Sequence, residues 1–170
     1  MLHESYYMYN WIETTHVLTL MISLGLLFVI DLRMLGLVLP DVPAKIIASR
    51  LHWPMLFGFS IMIITGLLLV YAIPVRSVQS LWLRFKVVLL IAAFINALIF
   101  HRAMKHAENN WESELRAPRA LRISAMLSMS FWGMIVICGR LIAYDWFDCI
   151  DNPSPLIGTL AGCIADQAQY

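Results

Sequence analysis

The sequence predicts an all-α protein, an integral membrane four-helix bundle with both termini in the periplasm. Hydrophobic residues make up 61% of the 170 residues and charged residues only 14%, whereas a soluble domain carries about 25% charged residues. The apolar residues are gathered into four long runs, which is typical of helices that face lipid. The cations cluster on one side of these runs, and this asymmetry predicts the orientation.

The four apolar runs are each long enough to cross the hydrocarbon layer, which needs about 20 helical residues. The predicted helices cover about residues 11–38, 53–73, 81–101 and 120–144. Pro40 is expected to stop the chain after the first helix, and Pro54 is expected in the first turn of the second. Residues 1–146 therefore form a transmembrane domain, and residues 147–170 form a periplasmic tail.

Lys and Arg residues near the helix ends predict which side is cytoplasmic. The connections after the first and third helices carry Arg33, Lys45, Arg50, Arg102, Lys105, Arg116, Arg119 and Arg122. The opposite side carries Arg76, Arg84, Lys86 and Arg140. The side richer in cations is expected to be cytoplasmic, which leaves the N- and C-termini in the periplasm.

Two cysteines lie in the predicted periplasmic tail, at Cys149 and Cys163. Disulfides persist in oxidising compartments, and the stretch between the two residues is rich in turn formers. Two interpretations stay open, a Cys149–Cys163 disulfide and two unpaired thiols.

The first helix carries a polar stripe, because Glu13, His16, Ser23 and Asp31 fall within an arc of roughly 80°. Ionisable groups inside a membrane are costly and usually face a bundle interior or a cavity. Glu13 and His16 also have the Glu-x-x-His spacing that metal sites in helical bundles use. The alternatives for this pair are a ligand role and a hydrogen-bonded pair near the outer interface.

The depths of the histidines predict which of them act together. His52 begins the second predicted helix and His101 ends the third, so both are expected at the cytoplasmic end as axial ligands of one haem b. His16 lies near the opposite end, where it is expected to ligate a second haem or contact a quinone. Lys86 and Arg140 would be its counter-charges. The alternative is that these histidines are interfacial and bind no cofactor.

Other chemistry is sparse in this sequence. His3 follows the chain start by two residues and is a candidate copper ligand together with Glu13 and His16. The formal net charge of +1 and the absence of a basic tract argue against a nucleic-acid partner. We find no phosphate-binding loop, nucleophile elbow or dinucleotide fingerprint, so catalysis by this chain alone is not expected.

Several motifs together resemble a known family. They are Trp11-x-Glu13-x-x-His16, Asp31-Leu32-Arg33-x-Leu35-Gly36, Pro54-x-x-x-Gly58-Phe59, Thr65-Gly66-Leu67-Leu68, Phe85-Lys86, Asn96-Ala97, Phe100-His101 and Gly139-Arg140-Leu141-Ile142-Ala143-Tyr144. Over about residues 11–144 the chain resembles a family of small bacterial four-helix membrane proteins of unknown function. It is also distantly similar to the copper-resistance protein D membrane domain and to b-type di-haem four-helix cytochromes.

This resemblance implies a bacterial inner-membrane protein that acts beside redox or copper-handling partners. The chain departs from the di-haem pattern because no second histidine lies at the depth of His16. The leading hypothesis is a b-type haem redox subunit that passes electrons between quinone and a periplasmic partner. The alternatives are a cofactor-free accessory subunit of a larger membrane complex and a copper-handling protein. Either further subunits or copies of this chain are the expected partners.

Overall fold

A computed structural model provides the structure of the chain and describes residues 6–72, 79–106, 117–143 and 155–161. Within these ranges the chain forms helices and no strand, so the all-α prediction is confirmed for them. The helices are α1 (Tyr6–Met34), α2 (Ala44–Ala72), α3 (Leu81–His106), α4 (Arg119–Ala143) and the short α5 (Pro155–Ala161).

The helices α1 to α4 are each long and apolar enough to cross a membrane. Their outward faces carry large apolar side chains, among them Ile22, Leu67, Phe94 and Ile137, which are more than half exposed. Apolar surface on this scale is unfavourable in water and favourable against lipid tails. The four spans therefore indicate a multi-pass membrane protein, as the sequence predicts.

The helices pack as two hairpins. The first hairpin pairs α1 with α2, the second pairs α3 with α4, and a smaller contact between α1 and α4 joins the two. The rings of Phe59 on α2 and Trp132 on α4 add a tilted aromatic contact, with their centroids 5.0 Å apart. The helices α2 and α3 do not form a comparable packed pair.

The hydrophobic core of the bundle lies where α1 ends and where α2 and α4 begin. Its buried members are Ile30, Met34, Ala44, Ile47, Ala117, Leu121 and Ala125. The backbone N–H of Ala117 donates to the carbonyl of Met34 over 3.2 Å, which ties the start of α4 to the end of α1. Three elements are thus fixed to one another at this end of the bundle.

The first helix stops at Met34, four residues before the predicted end at residue 38 (38 minus 34). Gly36 has a φ of 75°, the left-handed conformation that glycine adopts without steric cost. The N–H of Leu37 then donates to the carbonyl of Leu32 over 3.0 Å, which is the helix-ending pattern of a Schellman motif. The prediction relied on Pro40 as the stop and overlooked this glycine.

Arg33 holds the turn that follows α1. Its side chain is 1% exposed. Its Nε donates to the carbonyl of Val42 over 2.8 Å and its Nη2 donates to the carbonyl of Pro40 over 3.3 Å. The guanidinium therefore supplies donors to turn carbonyls that no helix or strand satisfies.

The second helix begins at Ala44, nine residues before the predicted start (53 minus 44), so Pro54 lies inside the helix and not in its first turn. The added segment is amphipathic, because Ala44 and Ile47 are buried while Lys45 and Arg50 are exposed. Its charged residues lower the apolar content, and the segment therefore looked like a loop. Contact with the core stabilises it as helix instead.

The third helix extends to His106, five residues beyond the predicted end (106 minus 101), so His101 lies within α3 rather than at its end. The fourth helix starts and ends within one residue of the predicted limits of 120 and 144. The differences at the end of α1, the start of α2 and the end of α3 fall where charged residues are frequent, and there hydropathy marks helix ends poorly. At the opposite end of the bundle α1 begins at Tyr6, five residues before the predicted start (11 minus 6).

Candidate functional site

The half of the bundle in which α1 begins contains His16, one of the residues predicted to bind a cofactor. Its side chain is half-buried on α1 and reaches across to α2. Its Nδ1 lies 2.9 Å from the hydroxyl oxygen of Thr65. The backbone of Met62, also on α2, lies near the ring. Contact with α2 thus sets the position of the imidazole.

The Thr65 hydroxyl links His16 to the backbone of α2. Its Oγ1 lies 2.8 Å from the carbonyl of Ile61 and 3.1 Å from the carbonyl of Met62, and the hydroxyl has one proton to donate. If that proton goes to a carbonyl, Nδ1 of His16 donates to Thr65 and the lone pair of the neutral ring lies on Nε2. If it goes to His16, Nδ1 is the acceptor. The contact therefore fixes the position of the imidazole, and the tautomer depends on which acceptor the Thr65 proton takes.

Gly66 allows the imidazole to lie against α2. A Cβ atom at this position would be 3.2 Å from Cε1 of His16, which is closer than most real Cβ contacts. Gly66 belongs to the Thr65-Gly66-Leu67-Leu68 motif of the sequence. In the structure the group beside it is the imidazole of His16.

Lys86 reaches the same region from α3. A Cβ at Gly139 of α4 would lie 3.5 Å from its Nζ, so the ammonium is next to the backbone of α4. The charge of Lys86 also acts on the His16 imidazole and on the buried Cys138 thiol. The prediction that Lys86 is a counter-charge near His16 is compatible with this arrangement. An imidazole on one hairpin and an ammonium on the other therefore lie in the same half of the bundle, the half in which α1 begins.

Glu13 and Arg140 take a smaller part in this site. Both side chains are exposed, Glu13 near the start of α1 and Arg140 near the end of α4. The Glu-x-x-His pair is thus split between an exposed carboxylate and a half-buried imidazole. Within the described ranges, the structure contains no group of three His, Cys, Asp or Glu side chains that could hold a metal ion.

His52 and His101 do not reach the interior. Both side chains are exposed, and they belong to α2 and α3, which are not a packed pair. His52 makes an edge contact with Trp53, with ring centroids 6.0 Å apart. A haem held by two histidines needs both imidazoles to point into one enclosed space. These exposed positions do not fit that requirement within a single chain, and bis-histidine ligation stays a prediction.

The structure also shows interior polar pairs that the sequence did not connect. The Asn96 amide donates to the carbonyl of Ser124 and accepts from its hydroxyl, each over 2.9 Å, and thereby links α3 to α4. Asp31 on α1 has the Ser128 hydroxyl of α4 as its partner. The hydroxyl groups of Ser124 and Ser128 were not among the groups predicted to take part in a site.

Several predicted residues lie outside the described residues. They are the copper candidate His3, the cysteines Cys149 and Cys163 of the predicted disulfide, and the loop cations Arg76 and Arg116. The disulfide, the copper site and part of the orientation argument therefore stay predictions.

Four spanning helices around a small set of interior polar side chains define a class, the multi-pass helical membrane proteins with a polar site inside the bundle. A model of the family of unknown function DUF6644 matches residues 6–145, and the chain belongs to that family. The predicted similarity to a family of unknown function is thereby confirmed. No curated protein and no solved structure matches the chain. The distant similarity to the copper-resistance protein D domain and to di-haem cytochromes stays a prediction.

Proposed function

We propose that this chain is a membrane-embedded redox subunit that passes electrons between a quinone and a partner protein, with His16 and Lys86 as contacts to the quinone head group. The observation that carries the proposal is the contact of 2.9 Å between Nδ1 of His16 and the Thr65 hydroxyl, since it holds a titratable imidazole inside the membrane-spanning part of the bundle. A basic nitrogen inside the membrane suits a lipid-soluble substrate that releases protons when it is oxidised.

The chemistry of quinol oxidation matches these two side chains. Each quinol loses two electrons and two protons as it becomes quinone, and the electrons pass to a one-electron acceptor of the haem class. The His16 imidazole would accept the proton of one quinol hydroxyl, and the proton of the other hydroxyl would pass to solvent. The Lys86 ammonium would stabilise the negative charge that develops on that oxygen, and this stabilisation is strongest where water is excluded.

Haem b fits the described residues only in part. A bound haem would supply the one-electron carrier of the subunit. The imidazole of His16 is half-buried inside the bundle, whereas those of His52 and His101 are exposed. We therefore place His16 first among the candidate ligands and keep His52 and His101 as ligands shared with a neighbouring subunit.

The proposal includes the compartment and the orientation that the sequence predicts. The protein would be in a bacterial inner membrane with both termini in the periplasm. His16 and Lys86 follow the starts of α1 and α3, which would lie near the periplasmic side. Protons released at this depth would leave toward the periplasm, where the electron partner would also bind.

Binding of decylubiquinone tests the quinone site. The purified protein in detergent is titrated with decylubiquinone, and binding is followed by quenching of tryptophan fluorescence. We expect His16→Ala and Lys86→Met each to raise the Kd by about tenfold or more, the effect of losing one hydrogen bond of about 1.5 kcal/mol. Lys105→Met is the matched control, because it removes an exposed ammonium from the same helix as Lys86, and its Kd should equal that of the wild type. Equal Kd values for all three variants would contradict the site.

Visible spectroscopy tests haem separately. Protein expressed with ample haem is compared before and after reduction with dithionite. We expect a band of low-spin haem b that His16→Ala reduces strongly. If His52→Ala and His101→Ala abolish the band while His16→Ala leaves it intact, the ligands are those that the sequence predicts. A spectrum without any haem band would exclude haem and favour the cofactor-free accessory role.

A further inference from the structure

The last turn of α1 contains a carboxyl group deep inside the protein. Asp31 is 3% exposed and lies between Ile30 and Arg33, whose side chains are also buried. The carbonyl groups at the end of a helix carry partial negative charge, which opposes a carboxylate at this position. The surrounding core of apolar side chains offers no solvation either.

The described side chains do little to neutralise a negative charge on Asp31. The Ser128 hydroxyl of α4 interacts with the carboxyl group, and Oδ2 of Asp31 is buried without a hydrogen-bond partner among the described residues. Arg33, two residues along α1, donates to the turn carbonyls of Val42 and Pro40. Arg122 on α4 leaves its Nε without a partner. No described arginine or lysine therefore forms a salt bridge with Asp31.

An unpaired carboxylate in such surroundings would cost several kcal/mol, and proteins avoid this cost by supplying a positive charge or a proton. We propose that Asp31 is a binding site for a monovalent cation, a proton or a sodium ion, which it exchanges with the membrane face where α1 ends. The site is distinct from His16, which lies fifteen residues away (31 minus 16), or roughly 20 Å along the helix. It does not depend on the quinone proposal.

Infrared spectroscopy of the full-length protein in lipid distinguishes the two occupants. A bound proton gives the carbonyl stretch of a carboxylic acid, which moves when the buffer is exchanged for D2O. We expect this band in the wild type at neutral pH and its loss in Asp31→Asn. Glu13→Gln is the matched control, because it removes an exposed carboxylate, and the band should persist. Movement of the band in D2O would show that the proton exchanges with the medium.

Sodium binding is measured in parallel, by equilibrium dialysis against sodium chloride with choline chloride as the reference. One sodium ion bound per chain, lost in Asp31→Asn and accompanied by no acid band, would identify sodium as the occupant. If no acid band is found and no sodium binding depends on Asp31, the proposal is overturned.

Ser128→Ala provides a second variant if Asp31→Asn does not fold. It keeps the carboxyl group and removes its hydrogen-bond donor, so the acid band should move to higher frequency, or the sodium affinity should fall. Circular dichroism and gel filtration establish that the variant is folded. An acid band and a sodium affinity both unchanged in folded Ser128→Ala would place the occupant elsewhere and refute the assignment to Asp31.

Discussion

Replacement of Gly58 by leucine is expected to lower the free energy of unfolding by about 3 kcal/mol, the upper end of the usual range for overpacking. Gly58 on α2 is buried against α1, and a Cβ here would overlap the hydroxyl oxygen of Ser23. Rotation of the Ser23 side chain can make room for one methyl group. A leucine side chain has no such space, so α1 and α2 must move apart. These two helices form an extensively packed pair.

Gly25→Leu and Gly133→Leu are the matched controls for this prediction. A Cβ at either position meets nothing within 4 Å, so the new side chain would extend into open space. Thermal unfolding of the three variants in the same detergent gives the comparison. We expect only Gly58→Leu to unfold at a clearly lower temperature. A Tm for Gly58→Leu equal to that of both controls would mean that α1 and α2 are not in close contact at Ser23.

Replacement of Arg33 by methionine is expected to cost about 3 kcal/mol or more. Hydrogen bonds from charged donors contribute about 1.5–3 kcal/mol each, and this change removes two of them. The carbonyls of Val42 and Pro40 would lose their donor at the turn that directs α2 back along α1. Methionine fills a similar volume, so the loss reports on hydrogen bonding more than on packing.

Arg33→Lys separates the charge from the geometry. Lysine keeps the positive charge but lacks the planar fork that reaches two carbonyl oxygens together. Unfolding of each variant by titration with sodium dodecyl sulfate measures the difference in free energy. We expect lysine to recover less than half of the loss seen with methionine. Full recovery by lysine would show that charge alone is sufficient at this position.

The four spans were predictable because lipid solvation acts on whole segments. In lipid, a run of about 20 apolar residues must form a helix, because the helix pairs the N–H and C=O groups of its own backbone. The runs around Met21, Ile63, Ala92 and Ile135 accordingly all lie in helices long enough to span a membrane. The ends were less predictable, because contacts set them. The segment before Trp53 is helical only since Ala44 and Ile47 pack on the core.

The candidate site was predictable only in part. A stripe along α1 identified His16 as an interior residue, because the direction of a side chain follows from helix periodicity. The same reasoning paired His52 with His101 by depth, yet depth does not specify which helices are neighbours. Thr65 was missed because a threonine in an apolar helix usually bonds to its own backbone, which Thr65 also does. Its second role, as hydrogen-bond partner of His16, depends on the packing of α1 against α2.

The division of the bundle into two hairpins has a consequence for access from the lipid. The contact between α1 and α4 is smaller than the contact within either hairpin, so it is the interface that separates at the lowest energetic cost. His16 belongs to one hairpin, while Lys86 belongs to the other. A slight rotation of one hairpin against the other would therefore change the gap between imidazole and ammonium and leave both pairs of helices intact. Such a movement is a shear-type gate, through which a hydrophobic molecule dissolved in the bilayer would enter sideways.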